Sequence, residues 1–317
     1  MLLASRVRVL AGLSGLVLAS ACSGNFSAAP TSTLPQSTTV LPAGMRLVPH
    51  RTFGSGWLSP AARGKALLFV ANFNNNVVEI YSAKGSNQAP IGQITDGIDG
   101  PEGMAVAAKH LYVTNTASNT VTVYRIGKKT AAKTYSNGLN GPDGVAVGTD
   151  GTVYVANLNT NDVVAYAKGS MTPTSTYSDL DFPIGVTLDA QNNLYVSYGG
   201  GVEEFPPGST KGKNLGISLP IASGIAIDKK ENIVVANQMP AGIYVYPQGS
   251  TQPSKIFGQE GDPNPIAFLT NRKQLFVGEP LSNTINVYSY PSGKMVNAIT
   301  NGIAFPAGVA VSPEAPF

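Results

Sequence analysis

The chain of 317 residues holds one cysteine, two histidines and one tryptophan, and only 12% of it is charged. A lone cysteine, Cys22, excludes an intramolecular disulfide. With only His50 and His110, histidine-based catalysis has few places to sit. No GxSxG turn, Cys–His pair, zinc motif or phosphate loop occurs. Beyond the N-terminal stretch no segment carries a convincing i, i+3, i+4, i+7 apolar pattern, so helix is not competitive there. What abounds is turn chemistry. There are 35 Gly and 23 Pro beside a hydrophobic content of 43%, which suits a turn-rich all-β protein with a core.

The turns punctuate a repeat. Its clearest copy is GPDGVAVGTDGTVYVANLNTNDVVAY, Gly141 to Tyr166. It reads as a turn, a short apolar strand, an Asp150-Gly151 hairpin, a Val- and Tyr-rich strand, an Asn-rich turn and a third strand. Inner-strand starts recur at Gly103, Gly144, Gly185, Gly224, Pro265 and Gly308, spaced by 41, 41, 39, 41 and 43 residues. A second landmark follows the next strand at Asn72, Asn115, Asn157, Tyr198, Asn237 and Glu279. A period near 40 with several strands per period predicts a β-propeller with one blade per period. The two landmark series are offset. The chain begins with a blade lacking its inner strand and ends with an inner strand lacking its blade. Closure is therefore expected, with GVAVSP (308–313) beside the strand from Leu67, which also removes open sheet edges. SGWLSP (55–60) is the rival for that slot, but it does not repeat the motif.

On these residues a resemblance can be named. LYVTNTASNTVTVY looks like the YVTN-type repeat, and GPDGVAV-GTDGTVYVAN looks like the NHL repeat. The match spans roughly residues 67 to 317 and implies an all-β, six-bladed propeller. Residues 55–317 are assigned to it.

The N-terminus carries an address. Arg6 and Arg8 precede an uncharged apolar stretch, Val9 to Ala21, too short for a comfortable membrane span. It ends in LASAC, which resembles a bacterial lipobox. The expectation is a signal peptide over 1–21 and a lipidated Cys22, with ordinary signal cleavage as the alternative. Residues 22–54 are Ser/Thr/Pro-rich and read as a disordered tether. Trp57 is expected to seal one end of the propeller. The location implied is extracytoplasmic and lipid-anchored to the cell envelope, in the outer membrane if the host has two.

In a propeller, the B–C turns and D–A connections share one face, the channel mouth. The residues just before the inner strands are Glu102, Asp143, Ile184, Ser223, Asn264 and Ala307, and the B–C positions are the Asn72–Glu279 series above. Oxygen donors of this kind suit Ca²⁺ or Mg²⁺. Glu102, Asp143 and Asn264 are the candidate metal ligands. Asn72, Asn115, Asn157, Tyr198, Asn237 and Glu279 are candidate ligand contacts, although a repeated Asn in a repeated turn needs no ligand. Resemblance to gluconolactonase-like propellers implies a channel metal held by a first-blade Glu with Asn and Asp. Here Asp143 stands at the PNG-type Asn and the first-blade Glu has no counterpart. Virginiamycin-lyase-like propellers imply a His base, but His50 falls in the tether and His110 on the opposite face.

Charge is sorted by face. Fourteen of the 21 Lys and Arg fall at A–B or C–D turns and none at the mouth, while ten acidic residues fall on the mouth side. The expected function is a ligand- or protein-binding module anchored by its N-terminal lipid, with no certain cofactor. A divalent-metal-dependent lactonase and a cell-envelope structural protein are the alternatives. An envelope protein or polymer is the partner class. No nucleic acid is expected with an acidic mouth, and a monomer is expected.

Overall fold

The computed structural model describes residues 64–83 and 87–312. The expected signal peptide, Cys22, tether, His50, Trp57 and SGWLSP lie outside these residues. The chain divides into Met1–Thr52 and Phe53–Phe317, and every described residue belongs to the second unit. No helix among the described residues is long and apolar enough to cross a membrane.

The described residues form six four-stranded antiparallel sheets, the blades of a propeller. Within each blade the strands are lettered A to D from the channel outwards. The A strands of blades 2 to 6 are Pro101–Ala107, Pro142–Val147, Gly185–Leu188, Ala222–Ile227 and Ile266–Phe268. Blade 1 takes its A strand from the far end of the chain. Pro306–Val311 pairs with Leu67–Asn72, in the register Leu68↔Val311, Val70↔Val309 and Ala71↔Gly308. The Ser312 amide donates to the Leu67 carbonyl at 2.9 Å, and the Leu67 amide to Ser312 Oγ at 3.1 Å. The expected closure therefore holds, and the C-terminal strand fills the slot.

Six apolar layers alternate with the six blades. Phe69 and Ile80 of blade 1 pack with Leu111, Val113 and Tyr124 of blade 2. Leu68, Val70 and Val309 of blade 1 pack on its other side with Phe276 and Ile285 of blade 6. The strands are buried on both faces, which is why LFVAN and IVVAN read as near-continuous apolar runs rather than alternating ones.

At the centre the blades come very close. A Cβ on Gly308 would overlap the carbonyl oxygen of Glu102. Likewise Gly103 abuts the Asp143 carbonyl, Gly144 that of Ile184, Gly185 that of Ser223 and Gly224 that of Asn264. The repeated glycine is thus a close-approach residue. The sixth seat holds Pro265, and the adjacent B-strand position shows the compensation. It is Ala71, Ala156 or Ala236 beside glycine in blades 1, 3 and 5, but Gly278 beside Pro265, where a Cβ would lie 2.5 Å from the proline Cγ.

This pairing is testable by equilibrium urea denaturation. Gly278→Ala alone should cost about 1–3 kcal/mol by overpacking. The double change Pro265→Gly with Gly278→Ala recreates the Gly/Ala pair of the other blades and should recover most of that loss. Additive losses in the double variant would show that the two positions do not compensate.

Candidate functional site

The A strands line a channel with a free volume of about 430 Å³, part of it continuous with bulk water. Most of the lining is glycine backbone and aliphatic side chains such as Val145, Ile184, Val186 and Ile225. Asp143 and Asn264 interrupt it from opposite blades, 3 and 6. Glu102 stands at the same position of blade 2, close enough to Asp143 for their charges to interact.

The backbone under Asp143 is held firmly. Thr114 Oγ1 donates to the Asp143 carbonyl at 2.7 Å, and Thr116 Oγ1 to the Pro142 carbonyl at 2.6 Å. The fourth polar seat, Ser223, is satisfied within the wall, donating to the Ala236 and Pro263 carbonyls, each at 3.1 Å. By contrast, no hydrogen bond among the described residues reaches the side chains of Glu102, Asp143 or Asn264. Burial pushes the Asp143 carboxyl up to about 7. Burial, and then the nearby Asp143 charge, raises Glu102 well above the usual carboxylate range. Low-dielectric surroundings disfavour the charged form, and a second like charge adds to the effect.

No group of three Asp, Glu, His or Cys side chains gathers to hold a metal among the described residues. Two carboxylates and one amide fall short of the six to eight oxygens that Ca²⁺ prefers. This donor set would leave most of an ion's coordination to water; it suits a hydrated ion or an organic cation.

The B-strand series is buried rather than set in the channel. Asn72, Asn115, Asn157 and Asn237 are inaccessible to water. Each amide oxygen accepts an N–H from the connection entering its own blade: from Ala304 at 3.0 Å, Asp99 at 3.0 Å, Asn140 at 3.1 Å and Ile221 at 3.1 Å. Their NH₂ groups donate inward too, Asn72 to the Gly302 carbonyl at 2.7 Å and Asn237 to that of Pro240 at 2.8 Å. Tyr198 is half-buried, and its hydroxyl accepts from Asn214 Nδ2 at 2.7 Å. Glu279 keeps the accepting half of the latch, taking the Asp262 N–H at 2.8 Å and Asn286 Nδ2 at 3.3 Å. His110 lies at an A–B turn on the far face, its Nδ1 2.9 Å from the Ala108 carbonyl.

A second set of asparagines was not singled out from the sequence. Asn76, Asn119, Asn161 and Asn283 sit four residues after the B-strand landmark, all with φ between 50° and 57°. Their side-chain oxygens accept the N–H of Gly100, Gly141, Phe182 and Phe305 at the start of the next blade. The N-x₃-N spacing in NFNNN, NTASN and NLNTN was the available signal.

These latches hold two unusual residues. The position they grip is left-handed, with φ of 61° at Gly100 and 62° at Gly141. Phe182 and Phe305 take it at 54° and 53°, where a bulky L-residue is strained by roughly 1–2 kcal/mol. Phe305 lies with its ring 6.0 Å from that of Phe73. Blades 1 and 4 face each other across the mouth, and the arc from Phe182 and Tyr198 past Met239 and Leu281 to Phe73 and Phe305 carries aromatic and apolar side chains alongside the exposed acids Asp179, Asp181 and Glu260. Met239 and Leu281 are exposed. The other arc, at blades 2 and 3, carries Glu102 and Asp143.

No protein-family model matches the chain, and no curated protein sequence does either. Solved structures share its fold. The nidogen/laminin complex matches with a TM-score of 0.62 at 14% identity, covering 79% of this chain and 99% of that one. A catalytically inactive virginiamycin B lyase from Staphylococcus aureus, with quinupristin, matches at 0.57 and 14% identity over 82% and 90%. The selenomethionine form of that lyase matches at 0.51 and 16% over 66% and 73%. At these identities the likeness is one of fold.

Glu279 yields a pH prediction. Burial pushes its carboxyl up to about 7, above the ordinary unfolded value. The folded state therefore binds the extra proton, and this contribution to stability is full at low pH and lost as pH rises from about 4.5 through 7. Glu279→Gln keeps an acceptor for the Asp262 N–H, presents its NH₂ to the Asn286 amide, which can turn its oxygen to it, and removes the charge. It should be more stable than the parent at pH 8, by on the order of 1–3 kcal/mol. The gain should shrink towards zero at pH 5. A constant difference across that range in thermal melts would place the effect elsewhere.

Proposed function

We propose that the protein is a lipid-anchored, extracytoplasmic binding propeller of the NHL/YVTN type, whose mouth takes a cationic, partly apolar ligand. The observation that carries this is the trio Glu102, Asp143 and Asn264. Asp143 and Asn264 line a channel otherwise made of backbone and aliphatic side chains, Glu102 stands beside Asp143, and no protein donor among the described residues meets the three side chains. Unpaired carboxylates in such a place cost stability, and sites that break packing rules are where function is sought. The apolar side chains of the mouth give the rest of a ligand somewhere to lie, and the strained Phe182 and Phe305 support the same reading. A fixed pair of acids beside aromatic rings recognises an ammonium or guanidinium by charge and by the ring faces.

Calorimetry with phenethylamine and with uncharged phenethyl alcohol tests this. The amine should bind and the alcohol should bind at least about tenfold more weakly, with Asp143→Asn and Glu102→Gln each costing the amine about tenfold. Affinity should rise from pH 6 to pH 8, because protons compete for carboxyls whose proton affinity is raised. Equal binding of amine and alcohol, or no binding of either, would sink the proposal.

The carboxylate pair also supports a second reading, in which the ligand is hydrated Ca²⁺ or Mg²⁺ in a propeller of the gluconolactonase-like class. Heat from millimolar Ca²⁺ or Mg²⁺ that vanishes in Asp143→Asn, with no response to the amine, would favour it.

The anchor has its own test. Cys22→Ser should move the protein from the membrane fraction to the soluble one. Full retention of the variant in the membrane fraction would count against lipidation at Cys22.

A further inference from the structure

Every described lysine and arginine lies towards one face of the propeller, at an A–B turn, a C–D turn or the strand end beside one. Each of blades 2 to 6 supplies at least one cation with its side chain in water: Lys109, Lys168, Lys211, Lys229 with Lys230, and Lys273. Acidic residues on the same face are fewer, and two are drawn into the turns. Asp189 and Asp228 are buried. Asp189 accepts the Gln191 and Asn193 amides at 2.9 and 2.8 Å, and Asp228 accepts the Tyr290 hydroxyl at 2.7 Å. An ion pair on this face, Lys213 to Glu204, is 4.0 Å long and open to water. The opposite, mouth face has acidic residues and no described cation.

We infer that this basic face seats the propeller on an anionic lipid bilayer. Charge alone would equally suit a soluble polyanion. The distribution of exposed apolar side chains favours lipid. Met171 lies in the C–D turn of blade 3. Met295 and Val296 follow Lys294 at the same end of the outer strand of blade 6. These three are among the six large hydrophobics exposed over the described residues, with Met295 and Val296 at 47% and 49%. Cations interleaved with apolar side chains match the headgroup region of a bilayer, where basic residues gain from anionic lipid and apolar ones from the acyl boundary. A fully hydrated polymer offers nothing to the second set. Seated this way, the propeller turns its acidic mouth away from the membrane, open to its ligand. The inference does not depend on the lipid at Cys22, nor on the ligand proposed for the mouth.

The test uses the chain from Ser23 onwards, which lacks the acylated cysteine but keeps every described strand and all six apolar layers. Co-sedimentation is measured with neutral phosphatidylcholine vesicles, with vesicles containing phosphatidylglycerol, and against soluble polyphosphate. Binding should be confined to the anionic vesicles at low salt and fall severalfold by about 0.3 M salt, where the screening length is short. Replacing Lys168, Lys229, Lys230 and Lys273 by Gln should weaken it by at least about tenfold. Met295→Ser with Val296→Ser should weaken vesicle binding by about threefold or more while leaving polyphosphate binding unchanged. All these sites are exposed, so melting temperatures should stay close to the parent's. Equal binding to neutral and anionic vesicles, or indifference to the lysine changes, overturns the inference. Polyphosphate binding that matches or exceeds vesicle binding, with no effect of the serine changes, overturns it in favour of a polymer.

Discussion

The contact on which the structure depends is the one between each inner strand and the carbonyl of the next blade. Six sheets can converge around a narrow channel only if their inner edges nearly touch, and a Cβ at five of the six contact points would overlap a carbonyl oxygen. This fixes the glycine in GVAV and GIAI. It fixes the exception too, since Pro265 is tolerated where the neighbouring strand gives up its own side chain at Gly278. From that central constraint the rest follows outward: wedge-shaped apolar layers between blades, and polar latches where blades hand the chain on.

Much of the fold was legible because a repeat announces its own period. The glycine at five of the six inner strands, the Asp150-Gly151 hairpin and the mismatch between the two landmark series led to six blades and to the closing strand. The latches were harder. An asparagine repeated at a turn looks the same in sequence whether its amide meets a ligand or the backbone of the adjoining connection; only the placement of Ala304, Asp99, Asn140 and Ile221 opposite those amides decides it. Phe182 and Phe305 were illegible for a different reason. Their importance lies in a backbone conformation that follows from register with Gly100 and Gly141, and sequence readings expect glycine or asparagine there.

The candidate site is a departure from symmetry. Six equivalent positions carry two acids, an amide, a hydroxyl and two aliphatic groups, so the scaffold is pseudo-sixfold while its chemistry is two-sided. Glu102 and Asp143 are neighbours and Asn264 lies opposite. Aromatic and apolar side chains stand on the remaining arc. At the inner ring the two acids are neighbours, in blades 2 and 3, and the strained rings of Phe182 and Phe305 stand at blades 4 and 1.

The closing strand also dictates an order of events. Leu67 receives its last partner from Ser312, 245 residues further along the chain. Loop closure over such a distance comes late, because local hairpins form long before a contact of that span is secured. Throughout synthesis the first blade thus waits with a bare inner edge, and five blades can be finished while the ring is still a split collar. The strand Pro306–Val311 acts as its clasp, and its arrival is the moment at which a string of hairpins becomes a single cooperative body.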